Sequence, residues 1–155
     1  MTHYVDIQVA CTSEEPPDED SIRRWVNAAI RDERETTELS VRIVENDESQ
    51  ALNEQYRDAH GPTNVLSFPF EAQIPEPMDL IGDLVICAPV VVAEAKQQQK
   101  DLEAHWAHMT VHGVLHLLGY THNNDQDALI MESLETDILQ GLGFPPPYIP
   151  QQEHK

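Results

Sequence analysis

Val5, Ile7 and Val9 alternate with Asp6 and Gln8, the period of a strand with one buried face, which predicts β-structure over roughly residues 3 to 10. A loop, Glu14-Glu15-Pro16-Pro17-Asp18, ends in capping residues. After it Ile22, Trp25, Val26, Ala29 and Ile30 recur at i, i+3, i+4, i+7 and i+8, the apolar stripe of an amphipathic helix. Leu39, Val41 and Ile43 alternate with Ser40 and Arg42 as a second strand. Asp47 and Gln50 then form a capping-box pattern opening a short helix whose expected buried contacts are Leu52 and Tyr56.

The stretch from Tyr56 to Phe68 is rich in turn residues and runs into β-branched and aromatic positions, predicting a third strand that Pro69, Pro75 and Pro77 break into a loop. Leu80 to Ile86 reads as a buried strand, interrupted at Gly82-Asp83 by a bulge or a close backbone approach. Pro89 suits the first position of a helix through about Lys100, and Asp101 caps the next one. Asn124 or Asp125 caps a last helix with Met131, Leu134, Ile138 and Leu142 as its core stripe. From Phe144 the prolines stop that helix and predict an extended tail, poorly ordered at its polar end. No internal repeat or linker appears. The expectation is one α+β domain over residues 1–143, a small mixed four-stranded sheet with about five helices packed against it, followed by a tail over 144–155.

A chain of 155 residues, 40% hydrophobic, can build a core without disulfide staples. Cys11 and Cys87 each lie in an apolar run and read as buried thiols of a reducing compartment. The N-terminus lacks a basic segment or signal-length apolar run, and no window approaches a membrane span, so a soluble cytoplasmic protein is expected. The formal charge of −19 argues against a nucleic-acid partner, because such proteins carry a basic footprint. Four of the nine basic residues, Arg23, Arg24, Arg31 and Arg34, nevertheless fall within the first predicted helix; a solvated helix face is the simpler reading of them.

The histidines change the picture. His112 and His116, four residues apart on a helix, share a face at the spacing with which one transition-metal ion is gripped from one side. Gly119 can end that helix in a left-handed conformation, letting His122 return to the same ion. Three neutral imidazoles with no fourth protein ligand describe a catalytic rather than a structural zinc site. His108 extends the ladder, but three rungs would span about 12 Å along the axis, too far for nitrogen bonds of about 2.0 to 2.1 Å. His105 and His108 are therefore read as hydrogen-bonded structural residues that could support a ligand. Nickel, copper or iron would also accept such a trio.

The same spacing matches the metzincin protease pattern, with Gly113 where that pattern has its general-base glutamate. A peptidase built this way would lack the group that activates its water. Glycine inside a helix costs about 1 kcal/mol against alanine, so either something approaches the helix closely beside the metal or neighbouring elements pack there.

His112-Gly113-x-x-His116-Leu117-x-Gly119-Tyr120-x-His122, with Tyr56-Arg57 and Thr63-Asn64-Val65-Leu66-Ser67-Phe68 upstream and Met131-x-x-x-Glu135 downstream, resembles the YbeY family of bacterial metal-dependent endoribonucleases over nearly the whole chain. The resemblance implies a mixed sheet with surrounding helices, one zinc ion on His112, His116 and His122, and a functionally important Arg57 in the cleft. It also implies single-strand-specific cleavage of precursor ribosomal RNA in 3′-end maturation of the small subunit and in ribosome quality control. The partners that follow are the ribosome, a basic small-subunit ribosomal protein and an Era-type GTPase, with no membrane and no DNA. One departure is Thr121, where the family usually has aspartate. As a mechanism, His112 holds the ion and the Arg57 guanidinium holds the scissile phosphate and stabilises its developing charge. Asp83, Ser67 and Thr121 are weaker candidates for supporting a histidine or lining the cleft. Two other readings remain: a metzincin-like zinc hydrolase or peptidase, and an assembly factor whose metal is mainly structural.

Overall fold

The structure, a computed structural model, describes residues 2–31, 36–57, 60–69, 79–121 and 123–147. In chain order its elements are β1 (Thr2–Val9), α1 (Glu19–Ile30), β2 (Thr36–Val44), α2 (Asn46–Arg57), β3 (Val65–Pro69), β4 (Leu80–Cys87), α3 (Ala88–Gln97), α4 (Leu102–Leu117) and α5 (Asp125–Gly141). The described residues thus form an α+β domain of five helices on one mixed sheet, as the alternating and helical periods predict. Strand order is β1-β2-β4-β3, with β1, β2 and β4 parallel and β3 antiparallel on the edge beside β4.

Register puts the alternating apolar residues on one face. Val5 pairs with Leu39, Ile7 with Val41, Val41 with Leu84, and Ile43 with Ile86. This face packs against α1 and α4, whose Trp25, Val26, Trp106, Val111 and Leu115 complete the main core. A smaller cluster of Val44, Leu66, Val85 and Cys87 lies on the other face, under Leu52 of α2 and Val90 of α3. The rest of that second face, with Gln8, Ser40, Arg42 and Asp83, is polar. α4 touches α1, α3, α5, β3 and β4 and is buried nearly all round, so its histidines stand inside the molecule rather than on a solvated stripe.

Caps stop and start the helices where the sequence indicates. Asp18, Asp101 and Asn124 accept from the backbone N–H groups of Ser21, Ala104 and Asp127. α1 ends at Ile30: Arg31 is its cap at φ 57°, not a helical residue, and Arg34 lies outside the described residues. α3 stops at Gln97, short of Lys100. At Gly82 both expectations meet. The register slips by one residue beside it, and a Cβ there would stand 2.4 Å from the Phe68 carbonyl oxygen, so β3 can lie against β4 only with glycine at this position.

Tyr56 departs from expectation. Instead of being buried with Leu52, it is 58% exposed. Phe144, placed by the sequence at the start of the tail, packs edge-on against Trp25 with ring centroids 6.3 Å apart, while residues 148–155 and the proline loop over 70–78 lie outside the described residues. Cys11 and Cys87 are both buried free thiols. No helix of the described residues is long and apolar enough to cross a membrane.

Candidate functional site

α4 ends one residue after His116, in a turn that only glycine takes easily. Gly119 has φ 106°, its N–H donates to the His116 carbonyl, and the Tyr120 N–H donates to the Leu115 carbonyl. This pair of bonds closes the helix and sends the chain back across its end. His122 itself lies outside the described residues. His112 and His116 stand one turn apart with ring centroids 4.7 Å from each other and ring planes at 79°.

Across from His112, α5 contributes Glu135, which is 1% exposed. One carboxylate oxygen is 3.0 Å from His112 Nδ1, and the other is 2.5 Å from His108 Nε2. Burial is the largest single influence on this carboxyl and pushes its pKa up. The hydrogen bonds from His108 and His112, with the charge on those imidazoles, together outweigh it and hold the group at about 2. An ionised glutamate therefore fixes the His112 ring through Nδ1. His108, His112 and Glu135 also form a group whose ligand atoms lie within 4.8 Å of one another and could hold a metal ion. His108, too far along the helix to share an ion with both His112 and His116, thus meets His112 through a carboxylate of another helix. His105 bonds Glu94 at 2.9 Å, and burial lowers its pKa.

The cleft in front of His112 and His116 is built by three elements tied in series. Arg57, the last residue of α2, donates to the Ser67 carbonyl of β3 at 2.9 Å, and the Ser67 hydroxyl donates to the Gly113 carbonyl of α4 at 3.1 Å. Because Cys87 N–H donates to the Asn64 carbonyl, the alternation of an antiparallel ladder turns the Ser67 carbonyl outward, to the free edge of the sheet where Arg57 meets it. The result is a cleft of about 270 Å³ lined by Arg57, Asn64, Val65, Leu66, Ser67, His112 and His116. One guanidinium and two imidazoles face it, and among the described residues lining it there is no carboxylate. On a chain of net charge −19 this is a local reversal of sign that a phosphate oxygen could use.

Of the weaker candidates, Ser67 is in the cleft. Thr121 donates to Asp127 at 3.2 Å, within the connection to α5. Asp83 is on the opposite face of the sheet, accepting from the Ser40 hydroxyl at 2.5 Å, away from the histidines. Gly113 also has its reason: a Cβ there would stand 2.7 Å from Leu84 Cδ2 and 3.1 Å from Val65 Cγ2. Close packing of α4 on the sheet accounts for it without a ligand. The residue that sequence reasoning gave no role is Glu135. Its signal was a glutamate in register with Met131 and Ile138 on an apolar helix face, since a carboxylate is almost never fully buried unless paired.

Residues 8–143 match the family described as Endoribonuclease YbeY. Among solved structures the chain is similar to the solution structure of TM1509 from Thermotoga maritima, with 24% sequence identity, a TM-score of 0.61, and 88% of this chain and 87% of that chain covered. At that identity the likeness speaks for the fold alone.

Proposed function

Since this chain belongs to the endoribonuclease YbeY family, we propose that it is a zinc-dependent, single-strand-specific endoribonuclease that trims the small-subunit ribosomal RNA 3′ end in the cytoplasm and acts in ribosome quality control. The observation that carries this reading is the cleft where Arg57 and two imidazoles face one space with no acidic side chain among the described residues that line it. His112, His116 and His122 would hold the ion, and the donor set fits: two imidazoles one turn apart, one of them fixed through Nδ1 by an ionised carboxylate. When bound, a divalent ion supplies Lewis-acid charge for phosphodiester cleavage. Arg57 spends one donor on Ser67, and its planar fork carries five, so the remainder can hold the scissile phosphate and balance its growing charge. The ribosomal RNA precursor is the substrate in this reading. A basic small-subunit ribosomal protein and an Era-type GTPase are the partners it expects.

A peptidase is disfavoured by more than a missing glutamate. At Gly113 even a methyl group meets Leu84, so a side chain in the place of the metzincin base would have to displace Leu84 and Val65. The buried His108–His112–Glu135 group supports a second reading, an assembly factor with a mainly structural ion.

The test is cleavage of a single-stranded ribosomal RNA fragment, beside an unfolded peptide, by metal-loaded wild type and by Arg57→Ala. Losing a preorganised donor to the transition state costs about 100- to 1000-fold in kcat, with the folded circular-dichroism signal retained. Cut peptide with intact RNA would establish the hydrolase alternative. If neither is cut, the assembly-factor reading stands. A 2′,3′-cyclic phosphate on the product would assign the nucleophile to the RNA's own 2′-hydroxyl rather than to water.

A further inference from the structure

We propose that Tyr56 is a stacking platform for the base of a nucleotide flanking the scissile phosphate, so that the RNA strand leaves the cleft by crossing the free edge of β3. This rests on the endoribonuclease reading and names how that site grips its substrate.

The geometry comes from two pairs of neighbours in sequence. Tyr56 precedes Arg57 on α2, and Phe68 follows Ser67 on β3. Successive strand residues point to opposite faces, so Ser67 turns into the cleft toward Gly113 while Phe68 turns to the other side, where it packs on the cluster of Leu66 and Val85. The Arg57–Ser67 bond clamps the two pairs together at the edge. Tyr56 and Phe68 are in edge-to-face contact, with centroids 5.4 Å apart and planes at 76°. The tyrosine ring is thus held by a half-buried partner yet remains 58% exposed, directly across the strand edge from the phosphate-binding arginine.

Chemistry favours a base over a phosphate here. A depression of about 550 Å³ begins at Tyr56 and Phe68 and continues past Arg42 and Asp83. The guanidinium of Arg42 is bound by both carboxylate oxygens of Glu48, at 2.6 and 3.0 Å, and Asp83 adds negative charge beside it. What this surface offers RNA is an aromatic face. Stacking does not depend on neutralising phosphates, which suits a chain of net charge −19. It also requires an unpaired base, because a base inside a duplex already has both faces covered.

The test uses the metal-loaded full chain and a short single-stranded RNA with one cleavage site. kcat and KM are measured for wild type, Tyr56→Phe, Tyr56→Leu and Tyr56→Ala, and for substrates made abasic at each flanking position in turn. Loss of one stacked base should raise KM about 10-fold in the alanine and leucine variants. kcat should be unchanged, and phenylalanine should keep the wild-type KM. Removing the base at one flank should cost the wild type the same factor and the alanine variant nothing more, the sign of a direct partner. Leucine still covers Phe68, so a merely structural role would leave its KM intact. The proposal is overturned by an alanine variant with wild-type KM, by a phenylalanine variant as impaired as alanine, or by abasic losses that add to those of the variant. Wild-type protein that cleaves no RNA would overturn the endoribonuclease reading itself, and with it this one.

Discussion

One methyl group at position 113 tests how tightly the site depends on packing. In Gly113→Ala the new carbon would stand 2.7 and 3.3 Å from the two Leu84 methyls and 3.1 Å from Val65 Cγ2. Leu84 is fully buried and has no solvent to rotate into. Two terms oppose each other. Alanine is a better helix former than glycine by about 1 kcal/mol, and forcing an extra carbon into a packed core costs about 1–3 kcal/mol. The net expectation is destabilisation of about 0–2 kcal/mol, read as the shift in urea midpoint at constant slope. Activity should fall further than stability does. Relieving the clash by moving α4 away from β4 and β3 would stretch the Ser67–Gly113 bond and separate His112 from Arg57; a misplacement of about 1 Å can cost about 100-fold in rate. Leu84→Ala alone should cost about 2–5 kcal/mol. Combined with Gly113→Ala it should cost less than the sum, because the two share one space. If Gly113→Ala gained its full helix-propensity increment and kept its kcat, the claim that packing forces this glycine would be wrong.

Further expectations concern the carboxylates and the ladder. Glu135→Gln keeps the size of the side chain but removes the charge that fixes His112, so zinc affinity measured against a chromophoric chelator should drop about 10- to 100-fold; unchanged affinity would mean the contact does not orient a ligand. Metal content of purified variants by atomic emission should fall in His116→Ala and persist in His108→Ala, and the reverse result would move the ion into the buried group with Glu135. Glu45 should govern part of the acid limb of stability: the Ser13 hydroxyl, then the Thr12 and Ser13 backbone N–H groups, lower its pKa from the ordinary 4.5 to about 2. Its contribution is therefore complete above the unfolded value and lost as pH falls through the folded one. Glu45→Gln should narrow its stability gap to wild type as acid is added across that window, and a gap independent of pH would contradict the assignment.

Period alone was enough to read β1 and β2, because each buries one face and solvates the other, whereas β3 and β4 were read from their β-branched and apolar content. Period was also enough for α1 and α5. α4 shows no such contrast, being buried nearly all round, and was legible through its cap, its glycine stop and the ladder of histidines. What stayed hidden depends on contacts between residues distant in sequence. Glu135 meets His112 only because α5 packs back on α4, and Gly113 is explained by Leu84 of β4 and Val65 of β3. Asp83 was a candidate only as a strand aspartate following a glycine, and nothing in that local pattern says that its partner is Ser40 of β2 and not a histidine. Tyr56, four residues after Leu52, obeyed the helical rule and still came out exposed, touching Phe68 of β3 edge-on instead of entering the core.

Arg57 also has a consequence for the solubility of this protein. β3 is an edge strand, and edge strands with unpaired carbonyls recruit other chains. By occupying the outward Ser67 carbonyl, the arginine blocks that edge with a charge. A lysine, a point charge on a flexible stem, would repel a second molecule but seal the edge less firmly. Alanine would do neither, and would leave a short hydrophobic strand open to intermolecular pairing. The guanidinium bond that ties α2 to β3 is thus also a guard against self-association.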